Sequence, residues 1–363
     1  MPTLLEDTGG PPMPLFPNNS SPSSSSFRIS NLRFSASTLA LHLNPETLPS
    51  YPFPVAKRAL TLWLIGDGKP GHENQSPGLA EAMQRRVACE IHQISIVGKG
   101  GFFGRIRAAL TQSAGLPKPD FIIAAGHATH LALLCLARKH QAKSIVLMRP
   151  SLPLRCFDLC IAPSHDFPKK PTRKNLILTR GAINRVRSVG SEKTGKLILI
   201  GGPSKTHGWD AAAVMDMLAR VTATGGWQLT DSRRTPNGFL EQIKKHLPNI
   251  EIFSCKETAP DWLPDQLSRA TEVWVSEDSV SMIYEALSSG ARVGLLSVPR
   301  LNSRSRVLRG IDDLIADRFL TTFSDWNQTG RLVQATQLLN EADRCAEIVW
   351  HMEVAQFAER ISP

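Results

Sequence analysis

Short apolar runs that close on a glycine-containing loop and then give way to a helical pattern recur along this chain, and the repetition limits its fold more than any other feature. The run Leu-Thr-Leu-Trp-Leu-Ile-Gly from Leu60 closes on Gly66-Asp67-Gly68-Lys69-Pro70-Gly71, and Leu79, Met83 and Val87 continue it at helical spacing. The unit returns at Asp120 to Ala125, with Gly126-His127 and an apolar helix to His140, and again at Ser144 to Met148 before Arg149-Pro150-Ser151. A second series opens at Lys196 with Leu-Ile-Leu-Ile, the loop Gly201 to Thr206, and a helix carrying Val214, Leu218 and Val221 on one face. Its later strands are Trp227 to Thr230, Ile250 to Ser254, Glu272 to Ser276 and Arg292 to Leu296. Strand-to-helix units in series imply parallel sheets, so the spacing predicts an α/β protein of two Rossmann-like domains whose parallel sheets face a cleft.

A length of 363 residues exceeds one ordinary core and suits two domains with tails. The expected organisation is a disordered Ser/Pro-rich extension over 1–58, a first Rossmann-like domain over 59–187, a second over 188–330, and a helical segment over 331–363. The extension has the run Ser20 to Ser26 broken only by Pro22 and too little apolar surface for a core. Its Arg28 and Arg33 in a Ser-rich stretch raise a transit peptide as the sharper alternative, against which Glu6 and Asp7 argue. Arg185 to Thr194 is the expected linker. Leu332, Leu338, Leu339 and Ala346 are the candidate apolar contacts of a last helix running from about Arg331 to Phe357. No basic start leads into an apolar run, and the longest apolar stretch, Phe121 to Ala137, is interrupted by His127 and His130. A cytoplasmic protein, peripheral at a membrane at most, is expected. Six scattered cysteines without a Cys-x-x-Cys pair argue against a disulfide framework or a zinc site, with Cys156 and Cys160 read as buried small hydrophobes.

With 42 Lys and Arg against 32 Asp and Glu, the chain carries a formal +10, which favours an anionic small molecule or an anionic membrane surface as partner. No aromatic stacking platform or recognition motif supports a nucleic acid. Open α/β sheets bind ligands beyond the carboxyl ends of their strands, near helix N-termini, and four loops qualify. In the first, Gly68, Lys69, Gly71, Asn74 and Gln75 form a polar, backbone-accessible loop in which His72 and Glu73 are candidate acid-base groups. It is not a Walker loop, and its Gly-x-Gly-x-x-Gly pattern lacks the acid that should end the next strand. The second places His127 just beyond a buried strand as a further candidate base. In the third, Gly201, Gly202, Ser204 and Lys205 precede a helix, an arrangement suited to a pyrophosphate, with Arg233 as an added donor. The fourth follows the strand Glu272 to Ser276 and opens a helix that Gly290 can end. There Asp278, Ser281 and Glu285 share a polar face, Ser279 and Ser281 can meet a phosphate, and Glu285 can accept from ribose hydroxyls.

Gly-Lys-Pro-Gly-His-Glu-Asn-Gln-Ser at 68–76, Gly-Gly-Pro-Ser-Lys at 201–205 and Asp-Ser-Val-Ser-Met-Ile-Tyr-Glu-Ala at 278–286 occur in an order that resembles the mitochondrial fission ELM family. Arg149-Pro150-Ser151, Phe157-Asp158-Leu159 leading to Pro163-Ser164-His165-Asp166, and Leu178-Thr179-Arg180-Gly181-Ala182 extend the resemblance over about 60–320. It implies a fold similar to sugar-nucleotide glycosyltransferases of the GT-B type. The donor would sit in the second domain on Ser204, Lys205, Arg233, Ser279, Ser281 and Glu285, with the acceptor in the first and no metal or other cofactor. The spacing of Glu277 and Glu285 is similar to that of a glutamate pair in many retaining glycosyltransferases. Plant members of the family imply a second reading, a non-catalytic adaptor that recruits a dynamin-related protein at a membrane.

Overall fold

The computed structural model describes residues 59–361, apart from Lys99, Lys170, Ser191, Ser303 and Arg304; the 1–58 segment, and with it the transit-peptide alternative, lies outside the described residues. The first lobe is built from β1 (Leu60–Gly66), α1 (Pro70–Glu73), α2 (Gln75–Gln84), β2 (Cys89–Ser95), α3 (Gly101–Gln112), β3 (Phe121–Ala125), α4 (His130–His140), β4 (Lys143–Leu147), β5 (Leu159–Pro163) and β6 (Leu176–Thr179). The second contains β7 (Gly195–Leu199), α5 (Ala211–Val221), β8 (Trp227–Thr230), α6 (Phe239–His246), β9 (Glu251–Phe253), α7 (Trp262–Arg269), β10 (Ala270–Ser276), α8 (Val280–Ser288), β11 (Arg292–Leu296), α9 (Arg306–Ala316), β12 (Leu320–Thr322) and α10 (Phe323–Thr329). The last helix is α11 (Glu341–Ile361).

Both sheets are six-stranded and wholly parallel. The first has the order β2-β1-β3-β4-β5-β6 and the second β12-β11-β10-β7-β8-β9. Helices cover both faces of each, which explains why central strands such as Phe121–Ala125 are buried along their whole length and read as unbroken apolar runs rather than alternating ones. In the second lobe α8 and α9 pack on one face with Val273, Val275 and Leu295, while Val214, Leu218 and Ile243 of α5 and α6 pack on the other with Ile198 and Trp274. As expected from the sequence, Gly290 follows the end of α8 with a left-handed φ of 78°.

The end of the chain departs from expectation. Residues 331–340 are not helical, and α11 begins only at Glu341, where Asn340 accepts from the Asp343 amide. Leu338 is 53% exposed, whereas Leu339 joins the second core and Ala342, Cys345, Ala346 and Val349 join the first. The terminal helix therefore returns to the first lobe and packs beside α2. Cys156 also differs, lying exposed while Cys160 is buried, and every cysteine is a free thiol. Among the described residues no helix is long and apolar enough to cross a membrane.

Candidate functional site

Strand order reverses between β1 and β3 in the first sheet and between β7 and β10 in the second. The four polar loops identified from the sequence follow these four strands, so they occupy the two crevices in which doubly wound sheets take ligands.

At the first crevice the loop folds on itself. The Nδ1 of His72 lies 3.0 Å from both Asp67 carboxylate oxygens, and Glu73 accepts the Gly68 amide at 2.7 Å. The Gln75 amide group donates to the Gly71 carbonyl at 3.0 Å. The loop after β3 lies against this one: Gly126 has φ 87°, and a Cβ there would come within 2.3 Å of the His72 ring. Beyond it His127 is exposed and stacks edge-on to His130, whose Nδ1 is 3.2 Å from the Ser151 hydroxyl. Burial pushes the His130 imidazole down to about 4, with His127 adding to the effect. Asn74 is the member of this loop that leaves the lobe, donating to Glu285 Oε1 at 3.2 Å.

At the second crevice a carboxylate joins two loops. Asp278 accepts the Gly202 amide at 2.9 Å and pairs with Arg234 at 2.9 Å, while Ser276 Oγ accepts the Gly201 amide at 2.6 Å. Any side chain at Gly201 or Gly202 would strike Asp278 or the Arg234 carbonyl. These glycines thus admit the protein's own neighbouring loop. The helix expected directly after Thr206 begins later, at Ala211, capped by Asp210. Ser204 turns inward to accept the Thr206 and His207 amides, and Lys205 is exposed.

A cavity of about 520 Å³ opens between the lobes. Gly71 and Asn74 line it from the first lobe and Ala182, Ile183 and Asn184 from the connection; Arg233, Arg234, Thr258, Trp262, Ser279, Ser281, Met282 and Glu285 line it from the second. Of the residues singled out from the sequence, it brings together Gly71, Asn74, Arg233, Ser279, Ser281 and Glu285. Gly68, Lys69, Gln75, His72, Glu73, His127, Gly201, Gly202, Ser204, Lys205 and Asp278 are not among its lining residues. Glu277 is turned away, paired with Arg300.

The two arginines divide their work. Arg234 is bound to Asp278 and to the Gly202 carbonyl, whereas Arg233 makes no hydrogen bond or ion pair among the described residues and is exposed at the cavity. Ser279 caps α8 without a side-chain capping bond, and the first amides of α8 have no partner within the helix. On the polar face expected from spacing, Asp278 and Glu285 are buried while Ser281 between them is exposed. Burial pushes the Glu285 carboxyl up to about 7, with the Asn74 hydrogen bond partly opposing it.

Trp262, Thr258 and Asn184 escaped sequence reasoning. Trp262, paired with Phe253 at 4.9 Å, lies just beyond β9 at another carboxyl end, which was its one available signal. Asn184 reaches Ser288 of α8 at 3.0 Å from a connection that carries no motif.

Two doubly wound parallel sheets, with a cavity between them at the ends of their central strands, define a protein of the GT-B architectural class. A family model described as mitochondrial fission ELM1 matches residues 70–352, and the chain belongs to that family. It is 25% identical over 350 residues to an uncharacterized protein of Rickettsia prowazekii, covering 80% of this chain and 98% of that one. It is 26% identical over 219 residues to mitochondrial fission protein ELM1 of Arabidopsis thaliana, covering 48% of this chain and 51% of that one. A solved structure from Listeria monocytogenes, assigned as a UDP-N-acetylglucosamine 2-epimerase, superposes with a TM-score of 0.56 at 10% identity, covering 83% of this chain and 98% of its own. The UDP-GlcNAc 2-epimerase of Methanocaldococcus jannaschii gives 0.51 at 10% identity, covering 81% and 100%. These two likenesses are of fold.

Proposed function

We propose that the chain binds a nucleoside-diphosphate sugar in the interlobe cavity and uses it as a glycosyl donor. The observation that carries this reading is the pairing, in one cavity, of an uncommitted Arg233 with Ser279 and Ser281 at the N-terminus of α8, beside an apolar wall of Trp262, Leu263 and Met282. A diphosphate has the charge and oxygen acceptors for the guanidinium, the hydroxyls and the helix amides. A nucleobase suits the indole and its apolar neighbours, and Glu285 can accept from a ribose hydroxyl. The sugar would then point toward Gly71 and Asn74, where an acceptor would enter. Charge on the leaving diphosphate would be met by Arg233 and the α8 N-terminus. Among the three candidate bases, His127 is the one without a hydrogen bond or ion pair among the described residues. That both fold relatives are assigned to nucleotide-sugar chemistry supports the ligand class.

The test is calorimetric titration of the full chain with UDP, GDP, ADP and their sugar conjugates. Micromolar binding by the wild type, weakened at least about tenfold in Arg233→Ala and Ser279→Ala at unchanged melting temperature, is expected. No binding by the folded protein across the panel would overturn the reading. It would leave the second reading that the family resemblance implies, a non-catalytic adaptor, with a dynamin-related protein as the partner to seek.

A further inference from the structure

The basic character of this protein belongs to one lobe. Residues 59–187 hold 19 Lys and Arg against 7 Asp and Glu, a formal +12, whereas residues 188–363 hold 19 against 22, a formal −3. Apolar exposure is equally uneven. Among the described residues the exposed large hydrophobic side chains are Val97, Phe102, Phe103, Leu131, Leu301 and Leu338. The first four follow the carboxyl ends of β2 and β3 in a parallel sheet, so they share one edge of the first lobe.

Phe102 and Phe103 form the point of that edge. They are 44% and 77% exposed, with ring centroids 4.0 Å apart, in the first turn of α3. Val97, 53% exposed, lies in the loop that precedes α3. Further along α3, Ala109 is buried in the lobe core, while Arg105 and Arg107 make no ion pair or hydrogen bond among the described residues. The helix contains no acidic residue. Water gains nothing from two adjacent exposed phenyl rings, and an unpaired cation on each of two nearby positions adds to the local field.

We infer that this edge docks on an anionic lipid bilayer, with Phe102, Phe103 and Val97 inserted at the headgroup boundary and Arg105 and Arg107 on the lipid phosphates. A bilayer suits the tip because it accepts a small apolar patch and rewards flanking cations. A stable protein interface instead needs roughly 800 Å² from each partner, well beyond three side chains. The loop after β1 touches the tip, since a Cβ on Gly68 would lie 2.8 Å from Val97. A docked bilayer would therefore lie beside the mouth of the first crevice.

Vesicle flotation of the full chain tests the inference, with phosphatidylcholine alone and with phosphatidylglycerol added. Binding to the anionic vesicles only, declining as NaCl is raised, is expected. The Phe102→Ser/Phe103→Ser variant is expected to lose about tenfold or more in vesicle affinity at an unchanged melting temperature, because the replaced rings are exposed. Arg105→Gln/Arg107→Gln is expected to weaken binding and flatten its salt dependence. Absence of wild-type binding to anionic vesicles would overturn the proposal, as would equal binding by the phenylalanine variant. Wild-type self-association abolished by that variant, without vesicle binding, would overturn it in favour of a protein contact.

Discussion

Glu285 shows how one side chain takes its properties from two lobes. It sits on α8, is 8% exposed, and accepts from Asn74 across the cleft. Its carboxyl titrates near 7 instead of its ordinary 4.5 because burial disfavours the charge. Between those two values the folded protein binds a proton that the unfolded chain has released. Folding stability therefore falls as pH rises from about 4.5 to about 7 and is flat above that on account of this group, a contribution of at most about 3 kcal/mol. Glu285→Gln, which keeps an acceptor for Asn74, should raise the melting temperature at pH 8 and leave it nearly unchanged at pH 5; an equal gain at both values would contradict the assignment. Arg234 makes a second case. Its removal strands the buried Asp278 carboxylate, so Arg234→Ala should cost about 2 kcal/mol in urea titration, whereas the uncommitted neighbour Arg233→Ala should cost almost nothing.

At the level of elements, helix α11 separates apolar residues that look alike in sequence. Leu338 and Ala346 both suit a helical face, yet the first lies exposed before the helix begins and the second is wholly buried between α2 and the first sheet. Ala346→Asp should destabilise by about 3 kcal/mol or more through an unpaired buried charge, and Leu338→Ser by no more than about 0.5 kcal/mol, both read from chemical denaturation. Comparable losses would mean that α11 does not dock as described. The same scale explains which strands sequence reading found. Central strands such as β1, β3, β7 and β10 are apolar runs ahead of glycine or polar loops, and each was legible. The strands β5, β6 and β12 were not; they are no shorter than strands that were found, such as β7, β8 and β9, but lack a following glycine loop and helix of clear period.

For the molecule as a whole, the lobes are joined by more than a linker. Ile183, Asn184 and Val186 are buried in the connection, Tyr284 of α8 donates to the Arg180 carbonyl at 3.1 Å, and α11 carries the chain back to the first core. Scanning calorimetry of the full chain should accordingly show one cooperative transition, and two separate ones would show the lobes to be independent. What the amino-acid order determined alone was the α/β class, the two series of strands and the four loops that hold the crevices, because strand-loop-helix periodicity is a local property. What only the tertiary structure decided was the use of each polar residue in those loops. His72, Glu73, Ser204 and Asp278 bind their own lobes, while Asn74, Arg233, Ser279, Ser281 and Glu285 meet around a cavity. Spacing along the chain can place a residue at the end of a strand. Whether its side chain finds a partner in its own loop or is left for a ligand depends on neighbours more than a hundred positions away, such as Asn74 and Glu285.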